Sequence, residues 1–281
     1  MSLYVEQFLE SHDFPRFDGV PKILVLASTP RCGSHMLGHS LYQTGAFGFP
    51  LEYLNESNLK EWKRRLGRQM LADVVRELQR RRTSPNGVFG IKLHYSHLNQ
   101  FKTFERVTEL LPNACYVLIR RRDVVRQAVS YAIAAQTNVW IAGQESENPS
   151  PEYDFDLIDG YLREIIRDTC SWRYLLAVNA CNFIEVDYES MLSDMAAVIN
   201  RLAGWMGVAV EPSRLVREPA TIRQGGWLNE EWRRRFLEEH NPSSVMFEKD
   251  TETESRALHP LRMLIDRLSG RRPLLGHSRA D

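Results

Sequence analysis

The stretch Lys22-Ile-Leu-Val-Leu-Ala-Ser28-Thr29-Pro30-Arg31-Cys32-Gly33-Ser34-His35 decides how the chain reads. Its first seven residues are a short apolar run rich in branched side chains, the composition of a strand buried on both faces in a parallel sheet. Thr29–Ser34 reads as a turn and Met36–Gln43 as a helix. A strand that passes through glycine into a helix points backbone N–H groups, and the positive end of the helix, at whatever binds there. Gly33 permits close backbone approach, and Arg31 adds a planar, permanently charged fork. Arg31, Cys32, Gly33, Ser34 and His35 thus read as an anion-binding loop; the plainer alternative is an ordinary turn capped by Ser34. The loop is not of the Walker type, because GxxxxGK[ST] is absent and no lysine follows Gly33.

Outward from this stretch, strands are expected at Gly45–Pro50, Val88–Leu93, Ala114–Ile119 and Phe183–Asp187. Between them lie helical patterns: Asn58–Arg82 with an interruption near Gly67, Phe101–Leu111, Val124–Gln136, Leu157–Ala180, Ser190–Met206 and Asn229–His240. Strands alternating with helices predict an α/β fold, a single domain over residues 1–281 with a central, mainly parallel sheet flanked by helices. Residues 1–20 read as an irregular lead-in, 144–156 as an exposed acidic loop and 271–281 as a loose tail. Ligands of such sheets sit at the carboxyl ends of strands, which singles out the turns after Ser28, Leu93 and Ile119.

Composition limits the partners. The 281 residues carry 36 basic and 36 acidic side chains, a net charge of zero. No global field draws the chain to nucleic acid or to an anionic membrane, so anion handling falls to a few placed arginines. No stretch approaches the ~18 apolar residues of a spanning helix. Met1–Phe17 lacks a basic-then-apolar leader, so a cytoplasmic protein is expected. The cysteines at 32, 115, 170 and 181 are scattered without CxxC pairing, and no metal site is expected.

Three further groups carry chemistry. Arg120-Arg121-Arg122-Asp123 closes a strand and opens a helix, with Asp123 placed to cap it and Ser130 two turns on, near the same face. An arginine and a hydroxyl there fit a second phosphate; a solvated basic turn is the alternative. Glu52, in Phe49-Pro-Leu-Glu52-Tyr53, is a possible general base near the loop, or else a surface glutamate. Lys92 and His94 alternate at a strand end and so share a face.

In this order the motifs resemble the sulfotransferase superfamily, and within it the bacterial trehalose 2-sulfotransferase family. The resemblance rests on Leu24–Ser28 with Arg31, Gly33 and Ser34; Pro50–Tyr53; Pro85–Val88 with Gly90 and Lys92-Leu93; Asp123–Ser130; Gln136-Thr137; Val139-Trp140; and Val186–Tyr188. It spans roughly residues 22–240. It implies a P-loop-like phosphosulfate loop and sulfuryl transfer from 3′-phosphoadenosine 5′-phosphosulfate (PAPS) to a hydroxyl of a small carbohydrate, trehalose first, without a metal. Arg31–His35 would hold the 5′-phosphosulfate and Arg121 with Ser130 the 3′-phosphate, with Arg223 and Gln224 in a loop closing over the nucleotide. Glu52 would be the catalytic base, assisted by Arg31 and Lys92. Glu52, Tyr53, His94 and Trp140 would face the acceptor. The family usually has Arg-Pro-Asp where this chain has Arg121-Arg122-Asp123, so either arginine could hold the 3′-phosphate. Family members can dimerise, and a homodimer is carried as an expectation. A nucleotide kinase and a non-catalytic nucleotide-binding protein share the fold class; ATP turnover and a sulfuryl-transfer assay separate them.

Overall fold

The computed structural model describes residues 5–141, 144–215 and 226–240. Its sheet has four described strands: β1 Lys22–Ser28, β2 Val88–His94, β3 Cys115–Arg120 and β4 Phe183–Asp187. Their order is β2-β1-β3-β4, and every pairing is parallel. Both faces of β1 are covered, as its aliphatic run predicts: Ile23, Val25 and Ala27 pack into one core cluster, Leu24 and Leu26 into the other. The helices are α1 Ser34–Gln43, α2 Glu56–Leu66, α3 Leu71–Arg82, α4 Phe104–Leu110, α5 Val124–Thr137, α6 Phe155–Val178, α7 Tyr188–Ser193, α8 Met195–Met206 and α9 Trp227–Glu239.

The strand order places the site. The chain leaves β1 toward β2 on one side and leaves β3 toward β4 on the other, so the direction of winding reverses between β1 and β3. A crevice opens outside the carboxyl ends of two such strands. The loop 29–33 and the turn 121–123 both lie there.

Several expectations needed correction. Gly45–Pro50 is not a strand: Gly48 adopts φ 66°, a turn conformation, and Pro50 has no N–H for a ladder. Only a parallel bridge forms just beyond, Leu51 with Ile91, in which Lys92 N donates to Leu51 O at 3.0 Å. Ser190–Met206 is two helices rather than one, because Asp194 turns its carboxylate to the Ala197 N–H (2.8 Å) and caps α8. Leu192, an apolar residue of that segment, is exposed. The described part of the lead-in holds two short 3-10 turns, Val5–Phe8 and Glu10–His12, and it is fastened: the buried Arg82 guanidinium meets Asp13 at 2.9 Å and donates to the carbonyls of Gln7 and Leu9. The tail 271–281 lies outside the described residues.

The chain divides into two compact units, Met1–Arg234 and Arg235–Asp281. Of the second, residues 235–240 are described: the last turn of α9, with an Arg235–Glu239 ion pair at 2.7 Å.

Candidate active site

The loop after β1 is built around a glycine that cannot be exchanged without cost. Gly33 has φ 89°, in the left-handed region, and a Cβ there would run into the Tyr188 ring. The N-terminal amides of α1, which by helix geometry have no intrahelical partner, follow directly. Gln127 of α5 fastens the loop from behind, donating through Nε2 to Thr29 Oγ1 at 2.9 Å and to Pro30 O at 2.6 Å. Ser34 and Cys32 are buried, and burial pushes the Cys32 thiol upward.

Arg31 also adopts positive φ (63°) and turns its guanidinium toward α5. Nε donates to Ser130 Oγ at 3.1 Å, and NH1 donates to the Trp140 carbonyl. Burial, and then the neighbouring positive charge of Arg121, push its pKa down to about 10. Arg31 stays cationic at neutral pH, so two like charges share this crevice.

The three arginines after β3 separate by partner. Arg120 pairs with Glu185 (3.0 Å) and Asp187 (3.1 Å). Arg122 is exposed and approaches Asp187 (3.7 Å) and Glu189 (3.5 Å). Arg121 lies with its guanidinium carbon 4.9 Å from the centroid of the Tyr188 ring. Among the described residues it has no carboxylate within ion-pair distance, and its Nε is buried without a hydrogen-bond partner. Burial, above all, pulls its pKa below the ordinary value. Asp123 caps α5 through Arg126 N (2.9 Å) and also accepts from Arg233 Nε (2.9 Å).

Across the sheet, the Leu51 bridge delivers Glu52 beside β2. Its Oε1 lies 2.5 Å from Lys92 Nζ and 3.0 Å from His94 Nε2, and its Oε2 accepts from Asn55 Nδ2 at 3.3 Å. Burial alone would raise the carboxyl; Lys92 and His94 outweigh it and hold Glu52 well below the usual carboxylate range. His97 donates nothing to Glu52: its Nδ1 accepts from the His94 backbone N–H at 3.1 Å, and burial pushes its pKa down to about 3. His35 links the two halves. Burial lowers its pKa first, and it feels the charges of Lys92, Glu52 and Arg31 together.

The structure therefore brings Arg31, Cys32, Gly33, Ser34, His35, Arg121 and Ser130 to one end of the sheet, with Glu52, Lys92 and His94 alongside. Tyr53 does not join them. It is fully buried, its hydroxyl donates to Phe49 O, and its ring packs with Trp62 and Phe89. The adjacent Trp140 contributes its carbonyl to Arg31, while its indole N–H is taken by Asn138 Oδ1 at 2.9 Å. Arg223 and Gln224 lie outside the described residues. No cluster of three or more His, Cys, Asp or Glu side chains able to hold a metal occurs among the described residues. Sequence reasoning missed Gln127 and Tyr188. Gln127 stood one helical turn before Ser130, on the same face, which was the available signal.

A family model for the Stf0 sulphotransferases matches residues 23–239, a span that takes in every element of this site. The chain belongs to the Stf0 sulphotransferase family. Among curated relatives of this Stf0 chain, the trehalose 2-sulfotransferase of Mycobacterium tuberculosis (strain ATCC 35801 / TMC 107 / Erdman) is 27% identical over 263 residues, covering 77% of this chain and 94% of the relative. That of Mycolicibacterium smegmatis is 27% identical over 255 residues, covering 76% and 93%. A solved sulfotransferase domain from the curacin biosynthetic pathway aligns at 14% identity and TM-score 0.46, over 85% of this chain and 98% of that one. The Stf0 assignment makes the chain a sulfotransferase, and no described helix is long and apolar enough to cross a membrane.

Proposed function

We propose that this sulfotransferase acts in the cytoplasm, taking its sulfuryl group from PAPS and placing it on a hydroxyl of trehalose or a related glycoside, with Glu52 as general base. The trehalose sulfotransferases it resembles support the acceptor class. The observation that carries the donor assignment is Arg121: a cation in the crevice, with a buried Nε that no described group satisfies, next to a second arginine whose charge it opposes. Such an arrangement fits a polyanion that satisfies both. Arg122, already facing Asp187 and Glu189, fits the 3′-phosphate less well.

In this scheme Arg31 and the amides at the start of α1 hold the 5′ end of the nucleotide, and Arg121 with Ser130 holds the 3′-phosphate. Ser130 Oγ accepts from Arg31, which leaves its own hydrogen to donate to a phosphate oxygen. The donor supplies a sulfuryl group activated as its anhydride with phosphate. Glu52 takes the proton of the attacking hydroxyl; a positioned base of this kind contributes ~10²–10⁴-fold. Lys92 and His94 keep Glu52 ionised at the cost of some basicity. Drawing the Lys92 ammonium toward negative charge on the donor would return that basicity when it is needed.

Titration calorimetry tests the donor site. Arg121→Ala should weaken adenosine 3′,5′-bisphosphate by ~10-fold or more while changing 5′-AMP little, the loss expected for one charge-assisted contact. An equal loss for both nucleotides would contradict the 3′-phosphate contact.

A further inference from the structure

The hydroxyl of Ser28 has no part in the scheme above, yet it is buried at the centre of the site. Ser28 ends β1, and in the parallel register its partner is His94, the last residue of β2. Ser28 Oγ stands 2.9 Å from His94 Nδ1 and 3.3 Å from Leu93 O, and the indole N–H of Trp172 anchors the Ser28 carbonyl at 3.1 Å. The other ring nitrogen of His94, Nε2, stands 3.0 Å from Glu52 Oε1.

A hydroxyl has one hydrogen, and that limits the possibilities. When Ser28 donates to Nδ1, His94 is neutral, carries its hydrogen on Nε2 and donates it to Glu52. When Ser28 donates to Leu93 O, Nδ1 must carry a hydrogen to bond Oγ; the carboxylate 3.0 Å from Nε2 opposes a bare lone pair there, so the ring is then an imidazolium that still presents Nε2–H to Glu52. In both states the hydroxyl satisfies Nδ1 and leaves the Nε2 hydrogen for the carboxylate. Without it, the neutral ring loses a partner that helps hold its hydrogen on Nε2, and the balance between the two ring nitrogens shifts toward Nδ1.

We infer that Ser28 is a positioning residue that fixes the tautomer of His94 and, through it, how readily Glu52 accepts a proton. The inference rests on the assignment of Glu52 as base. The charged and titratable groups around the pair are Lys92 and His97, His35 from α1, and Glu164 and Asp168 from α6, whose carboxyls are influenced by His94. None of these side chains bonds Nδ1, which Ser28 Oγ meets at 2.9 Å; the backbone N–H of His97 also faces the His94 ring, in the capping box that opens the turn Tyr95–Gln100.

The test is the pH dependence of turnover at saturating donor in wild type, Ser28→Ala, His94→Gln and the double variant, with two-bond ¹H–¹⁵N spectra of the imidazoles. Losing one donor raises a carboxylate, so the acidic limb of Ser28→Ala should move up by roughly half to one pH unit. In the His94→Gln background, where a side-chain amide replaces the ring, Ser28→Ala should add no shift. The His94 signals should report an Nε2-bound hydrogen in wild type and a changed tautomer balance in Ser28→Ala. A limb that stays in place while turnover falls equally at every pH, or a shift that persists in the double variant, overturns the inference. Glu52→Gln separates it from its premise: near-wild-type turnover there sinks the base assignment. The imidazole spectra then judge Ser28 alone, an unchanged His94 tautomer in Ser28→Ala refuting its role and a changed one supporting it.

Discussion

Arg31 Nε donates to Ser130 Oγ at 3.1 Å, and this bond ties the loop after β1 to helix α5 across the point where the sheet reverses its winding. With Gln127 fastening Thr29 and Pro30 from the same helix, the two segments proposed to hold the donor are joined by side-chain hydrogen bonds.

Arg31→Lys keeps the charge but not the fork that reaches both Ser130 and the Trp140 carbonyl. A lysine ammonium is a point donor on a flexible stem. Affinity for adenosine 3′,5′-bisphosphate should fall by ~10–100-fold, about 1.5–3 kcal/mol, measured by titration calorimetry.

Gly33→Ala combines a positive φ with a side-chain collision on Tyr188. The cost should be about 1–3 kcal/mol, seen as a lower midpoint in thermal denaturation, and the loop should lose nucleotide affinity as it shifts. An alanine variant with wild-type melting would show that Tyr188 gives way freely.

These two residues show what could be read in advance. The aliphatic run 22–28 falls where a strand was expected, because a parallel strand buried on both faces must be apolar along its length; Phe183–Asp187 is a strand too, but at the sheet edge and only half-buried, which is why it tolerates Glu185 and Asp187. Arg31, Gly33 and Ser34 were legible as an anion loop because a strand–glycine–helix turn carries its chemistry locally. Contacts that depend on distant register were not legible. Nothing near Glu52 says that Leu51 will bridge to Ile91 and bring the carboxylate to Lys92, and nothing near Gly33 points to Tyr188, more than 150 residues on. Tyr53 was misplaced for the same reason: an aromatic next to a site residue looks available until the core on its other side is known.

Lys92→Met should move the acidic limb of turnover to higher pH. Glu52 is held below its ordinary value in the folded protein, so its carboxylate, and the stability it contributes, are complete above the usual carboxylate range and are lost only as pH falls through the depressed value. Removing the cation raises that value, so the loss begins at higher pH. Breaking a buried pair in this way should also cost about 3–5 kcal/mol in chemical denaturation at neutral pH.

Arg82→Met should loosen the lead-in. The guanidinium is buried against Trp62 and Phe49 and serves Asp13, Gln7 O and Leu9 O, so its removal strands all three. Denaturation should come about 2–4 kcal/mol earlier and limited proteolysis should clip residues 5–17, while bisphosphate affinity stays at the wild-type level.

The most direct measurement is transfer of radiolabelled sulfuryl from PAPS to trehalose by wild type and Glu52→Gln, with bisphosphate affinity measured on both. The predicted result is a labelled sugar with wild type, and a Glu52→Gln variant that binds the bisphosphate normally but turns over at least ~100-fold more slowly. A variant that transfers at near the wild-type rate, or a wild type that labels no sugar hydroxyl, would contradict the account.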